Sequence, residues 1–205
     1  YEQLLYDSES ITALQNTLVL AILSALIATV LGTVTAVAIF KMKKGAYKST
    51  LTTVTNIPMM TPEIVTGFSL MLLFVSIASI IGRKEALNFG TILCAHITFN
   101  LPYVILNVLP KLKQTDANLS EAAEDLGCTP LQAFFKSVLP AIYPGIFTGF
   151  IMSFTLSLDD FVISYFTQGP SFETLPIRIF SMTKKRVTPD MYALSTLIFV
   201  VILLL

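Results

Sequence analysis

TLVLAILSALIATVLGTVTAVAIF, from Thr17 to Phe40, contains not one charged side chain. The hydrocarbon core of a bilayer is crossed by about 20 residues of helix, so this run is long enough to span it. An unpaired backbone amide in hydrocarbon is so costly that such a run must close its own hydrogen bonds as a helix. It is too long for the apolar stretch of a secretory leader and has no small-residue cleavage site after it. Working outward, comparable runs follow at Ile64 to Gly82, at Phe89 to Leu109 and from Ala141 to about Thr167. The third carries His96, Asn100, Pro102 and Asn107, and the fourth is interrupted by Asp159 and Asp160. A fifth begins near Met191 and reaches Leu205. The pattern predicts an all-α, polytopic membrane protein with about five helices, one transmembrane domain over 1–205.

Composition agrees. Hydrophobic residues make up 54% of the chain and charged residues 13%, against roughly 25% charged in soluble domains; mean hydropathy is +0.76. Thirteen basic and thirteen acidic residues leave no net charge, which argues against a nucleic-acid partner and leaves membrane lipid as the surrounding medium. Cys94 and Cys128 have neither metal-site nor redox spacing, and we read them as unpaired thiols with no metal site. No GxxxxGK[ST] stretch is present, so nucleotide chemistry must belong to another polypeptide. His96 has no carboxylate or cysteine pattern near it in sequence and reads as a hydrogen-bonded packing residue. No catalytic residue is assigned. The sequence opens on Tyr1 without an initiator Met and stops inside an apolar run, and we expect a longer parent protein.

Between the third and fourth runs lies the longest polar segment, Pro110 to Pro140. Asn118-Leu-Ser-Glu121 predicts a capped helix start, with Glu121 reaching back to Asn118. Gly127 suits the left-handed turn that ends such a helix. Thr129-Pro130-Leu-Gln132 is a second start, a capping box with Pro at the first helical position. The segment therefore reads as helix, glycine turn, helix.

Glu121-Ala122-Ala123, Gly127 and then Leu139-Pro140 resemble the EAA loop of ABC importer permeases. Ser137 stands where that family usually has an aliphatic residue. The resemblance extends to IPMMTPEIVTGFSLMLLF (57–74), to HITFNLPYV (96–104) and to FTLSLDDFVISYFTQGPSFETLPIRIFSM (154–182), which is similar to the permeases that import spermidine and putrescine. It implies the type I ABC importer permease fold with six helices in a full chain. It also implies a bacterial inner-membrane location and a coupling helix from Glu121 to Gly127 that docks on a cytoplasmic ATPase. The partners implied are a second related permease, a pair of ATPase subunits holding ATP and Mg, an extracytoplasmic substrate-binding protein, and a polyamine as substrate. Importers of another small solute remain open, as does an ion-coupled secondary transporter using Asp159 and Asp160.

Sidedness is not decided by charge. Lys41, Lys43, Lys44, Lys48, Lys111, Lys113 and Lys136 fall on one side, while Arg83, Lys84, Arg178, Lys184, Lys185 and Arg186 fall on the other. The balance is too even for the positive-inside rule, and the loop resemblance puts the first set in the cytoplasm and 168–190 outside. For a polycation, the candidate path residues are Glu63, Asp159 and Asp160, because intramembrane acids normally face a cavity or a partner. Adjacent residues in a helix point about 100° apart, so the two aspartates cannot share one face. Ser157 and Asp160 also resemble a helix cap at a break in the span, and Pro62-Glu63 is good capping chemistry. Gly145 and Gly149 form a GxxxG suited to close helix packing.

Overall fold

The computed structural model describes residues 8–43, 45–116 and 118–185, with isolated positions between 192 and 203. Among them regular structure is entirely helical: α1 (Ser8–Lys41), α2 (Ala46–Met60), α3 (Glu63–Ile81), α4 (Phe89–Gln114), α5 (Leu119–Asp125), α6 (Pro130–Ala133), α7 (Leu139–Leu158), α8 (Val162–Thr167) and α9 (Leu175–Lys185). Phe134–Val138 is a π turn joining α6 to α7. Four helices are long and apolar enough to cross a membrane: α1, α3, α4 and the continuous 130–158 element. The run near Met191 and the side chains of Lys185 and Arg186 lie outside the described residues.

Helix ends follow local chemistry. Glu9 in the first turn of α1 and Lys41 in the last complement the helix dipole. Lys48 donates to the carbonyls of Phe40 and Met42 at 3.2 and 3.1 Å, satisfying acceptors left over where α1 ends. Helix α2 lies between the first two apolar runs. It is rich in threonine, and Thr52, Thr53 and Thr55 each donate to the carbonyl four residues back, so their hydroxyls are satisfied inside the helix. It stops at Thr61, which is extended (φ −87°, ψ 140°) as a residue before proline prefers. Pro62 stands one position ahead of α3 rather than at its first turn. Asn88 and Thr91 form a capping box at the start of α4, which continues to Gln114, so the first residues of the predicted polar segment are still helix.

The core is a three-helix contact of α1, α4 and α7, met at Val104. A Cβ on Gly32 would fall 2.7 Å from Val104 Cβ, and one on Gly149 would fall 3.3 Å from Val104 Cα. One on Gly145 would fall 2.9 Å from the Asn107 carbonyl. The two glycines of the GxxxG thus bring α7 onto α4. By contrast α3 packs mainly on α8 and leaves Ile64, Phe68, Leu72 and Ile80 exposed, as suits a surface solvated by lipid or covered by another apolar helix.

The two ends of the bundle differ. Lys41, Leu112, Asp116, Ser120 and Phe134 line one recess, so the Lys41 cluster and the polar loop share an end. At the other end α9 is tied to α1: Arg178 pairs with Glu9, Asn16 donates to the Glu173 carbonyl at 3.0 Å, and the Leu175 N–H donates to Thr17 at 2.8 Å.

Candidate functional site

The loop end is built by local hydrogen bonds. Asp116, not Asn118, starts α5: its Oδ1 accepts from the Asn118 N–H at 2.9 Å and its carbonyl from Leu119 at 3.2 Å. Asn118 makes no side-chain cap, because its backbone is already helical and its oxygen cannot reach the next N–H groups. Glu121 therefore does not reach back to it. Gly127 has φ +88° and its N–H donates to Glu124, while Cys128 donates to Ala123, the paired bonds that close a helix through a left-handed residue. Thr129 and Gln132 exchange the two bonds of a capping box at 3.4 and 3.0 Å.

Past that box, the Leu139 N–H donates to Phe134, five residues back. Pro140 follows at once, and a proline ring clashes with the carbonyl four residues before it, which an enlarged turn relieves. Glu121, Ala122 and Gly127 are exposed, whereas Ala123 is buried within the chain and Leu139 half-buried. Ala123 is thus small for its own packing, not for a partner's approach. Leu126, 87% exposed beside Gly127, and Phe135 add apolar surface to a loop that also exposes Glu121, Glu124 and Asp125. Sequence reasoning passed over Leu126, although a leucine in a polar turn is the signal that would have found it.

Midway along the bundle, beside Ser24 at the centre of α1, the fourth span breaks, and here the sequence reading needs correction. Ser157 does not cap a helix: it is buried in the last turn of α7. Its Oγ lies 2.9 Å from Ser24 Oγ on α1 and 3.1 Å from His96 Nδ1, and accepts from Asn100 Nδ2 at 2.7 Å on α4. The cap is Asp160, whose Oδ1 and Oδ2 accept from the Ile163 and Ser164 N–H groups at 3.3 and 2.8 Å and so start α8. His96 does have a carboxylate beside it. Its Nε2 is 3.5 Å from Asp160 Oδ2 and 3.0 Å from Ser164 Oγ.

Asp160 is 8% exposed. Asp159 is exposed and lines a shallow recess with Pro176, Ile179 and Ser195. The two aspartates point apart, as their spacing requires. Glu63 is exposed at the start of α3, one turn before Gly67, which lies against Ile163 of α8. Among the described residues no hydrogen bond or ion pair joins Glu63 to either aspartate, and no group of His, Cys, Asp and Glu is arranged to hold a metal.

A protein family described as binding-protein-dependent transport system inner membrane component matches residues 28–205. The chain belongs to that family. Its members named among similar proteins include the putrescine transport system permease protein PotI of Escherichia coli K12, 39% identical over 198 residues, which is 97% of this chain and 70% of PotI. The spermidine/putrescine transport system permease protein PotC of the same organism is 38% identical over 205 residues, all of this chain and 75% of PotC. Among solved structures, the inward-facing MetNI methionine ABC transporter aligns over 95% of this chain and 89% of its own with TM-score 0.77 at 16% identity. A bacterial ABC transporter that imports alginate gives TM-score 0.77 at 19% identity, over 98% and 77%. The fold of this inner membrane component is that of ABC importer permeases, and the chain is a multi-pass permease subunit of the bacterial inner membrane.

Proposed function

We propose that the chain is a polyamine permease: one half of a path for spermidine or putrescine, driven by ATP that a separate ATPase binds with Mg and hydrolyses. The observation that carries this reading is identity of 38–39% along nearly the whole chain with permeases named for putrescine and for spermidine/putrescine. A second related permease, a pair of ATPase subunits and an extracytoplasmic binding protein complete the system. The Lys41 cluster and the loop face the cytoplasm.

In this reading α5 docks in a groove of the ATPase, with Glu121 and Ala122 outward and Leu126 beside them. A rigid short helix bounded by Asp116 and Gly127 passes a displacement on, which a floppy loop would absorb. The displacement enters α7 through the π turn and reaches α4 and α1 through Gly145, Gly149 and Gly32. Midway along the bundle Asp159 offers a carboxylate to the passing cation, and Glu63 is a second candidate. Asp160 and Leu139 support the geometry from within, and Pro140, exposed, follows the π turn that leads into α7. An ion-coupled carrier would need the aspartates free for an ion, whereas both oxygens of Asp160 already accept from α8.

The test is uptake by the reconstituted complex. Labelled spermidine and putrescine should enter only with ATP. Asp159→Asn should reduce uptake of trivalent spermidine about ten-fold and that of divalent putrescine less, at an unchanged melting temperature. ATP-driven uptake of some other solute without polyamine uptake would overturn the substrate class. Flux driven by an ion gradient without ATP would overturn the mechanism.

A further inference from the structure

The break in the fourth span is held by one side chain from another helix. Ser157 precedes Asp159 by two positions, and Asp160 and Ser164 follow it. Both flanks are attached to the same imidazole: His96 Nδ1 meets Ser157 at 3.1 Å, and Nε2 meets Ser164 at 3.0 Å and Asp160 at 3.5 Å. His96 itself is immobilised, 1% exposed in the middle of the bundle.

The hydrogen inventory gives the ring a direction. Asp160 presents oxygen lone pairs to Nε2, so that nitrogen carries the proton and Nδ1 accepts. Ser157 accepts from Asn100, donates to Nδ1, and has one lone pair left for the hydroxyl of Ser24, whose hydrogen the Ala21 carbonyl shares at 3.2 Å. The turn at Asp159 is then pinned to α4 on both sides and to α1 through Ser24. A buried network of this kind fixes geometry, since losing one partner leaves the others unpaired in a low dielectric, as Asn100 Oδ1 already is.

We infer that His96 is a positioning residue for the substrate path: by clamping residues 157 and 160 it sets the direction in which Asp159 is presented. The inference rests on the reading of Asp159 as a path residue, and it assigns to His96 a role beyond helix packing. No substrate contact by His96 is involved. Its effect passes through the turn, so it vanishes once the Asp159 carboxylate is gone.

The experiment is a double-mutant cycle on spermidine uptake by the reconstituted complex, with KM and maximal rate measured separately and a melting temperature for each variant. His96→Phe keeps the ring volume but removes both nitrogens. It should raise KM about ten-fold with a smaller change in maximal rate. His96→Gln keeps one donor and one acceptor and should recover most of that loss, which also covers the case in which the Phe variant assembles poorly. His96→Phe added to Asp159→Asn should raise KM no further than Asp159→Asn alone, as coupled residues do. Additive losses in the double variant would overturn the inference while leaving Asp159 on the path. So would a fall in maximal rate that tracks the melting temperature with KM unchanged. A silent Asp159→Asn would remove the path reading first, and this inference with it.

Discussion

The loop at one end of the bundle and the joint midway along it are both short polar interruptions of an apolar chain, and they are built in opposite ways. Every bond that shapes the loop joins residues within five positions of each other, and its working groups are exposed. The joint assembles Ser24, His96, Asn100, Ser157 and Ser164 from four helices, with Asp160 in the turn between α7 and α8, and buries all of them. Local rules of capping and turn geometry therefore reach the first and not the second. A surface for a partner needs only a stiff shape, whereas a fixed turn inside a membrane must be satisfied by whichever helices surround it.

The contrast breaks most readily at the loop. Gly127→Pro forces φ to about −65° at a position that sits at +88°, and Glu121→Lys reverses the exposed charge. Both variants should reach the membrane in normal amount while ATP-driven uptake falls about a hundred-fold or more. Substrate-stimulated ATP hydrolysis by the reconstituted complex is the check, and unimpaired stimulation in both would remove the docking role. If the loop were an inert connector, these exposed positions would tolerate change.

Between the two regions, Gly145→Ala tests the packing that links them. Its new methyl would meet the Asn107 carbonyl at 2.9 Å, so backbone must move. Overpacking of this kind costs about 1–3 kcal/mol, and the melting temperature of the complex should drop by several degrees. An unchanged transition would mean that α4 and α7 slide freely. At the joint, Asp160→Asn should cost about 1–2 kcal/mol of stability by weakening the cap of α8, while Asp159→Asn should cost almost none. Equal losses, read by thermal unfolding, would erase the distinction between the buried acid and the exposed one. Smallest of all, Thr129→Ala removes half of a capping box and should cost about 1 kcal/mol, visible as faster amide exchange across 130–133 with uptake nearly intact.

What the sequence disclosed follows the same division. The first four apolar runs appear as helices, the first extended back to Ser8 and the fourth broken after Leu158, and Gly127 and Thr129 do what their local chemistry implies. Asn118 and Ser157 were misassigned as caps because Asp116 and Asp160 lay close enough to take the part, and one residue's backbone angle decides between them. The partnership of His96 with Asp160 was illegible, since nothing in a linear pattern brings α4 against the end of α7. The threonine-rich α2, with Tyr47, Leu51 and Val54 at helical spacing, is only 15 residues long and falls between the apolar runs long enough to span a bilayer.

Val104, caught between Gly32 and Gly149, has a mechanical meaning. Three helices that meet at a single valine with no spare ångström cannot shear past one another, so they turn together as a beam about a pivot. With Gly32 of α1 at that pivot, Ser24 lies about 12 Å away at 1.5 Å per residue. A tilt of about 10° then sweeps it through about 2 Å. The stroke available to an opening gate is set by the length of that arm, not by the size of any side chain along it.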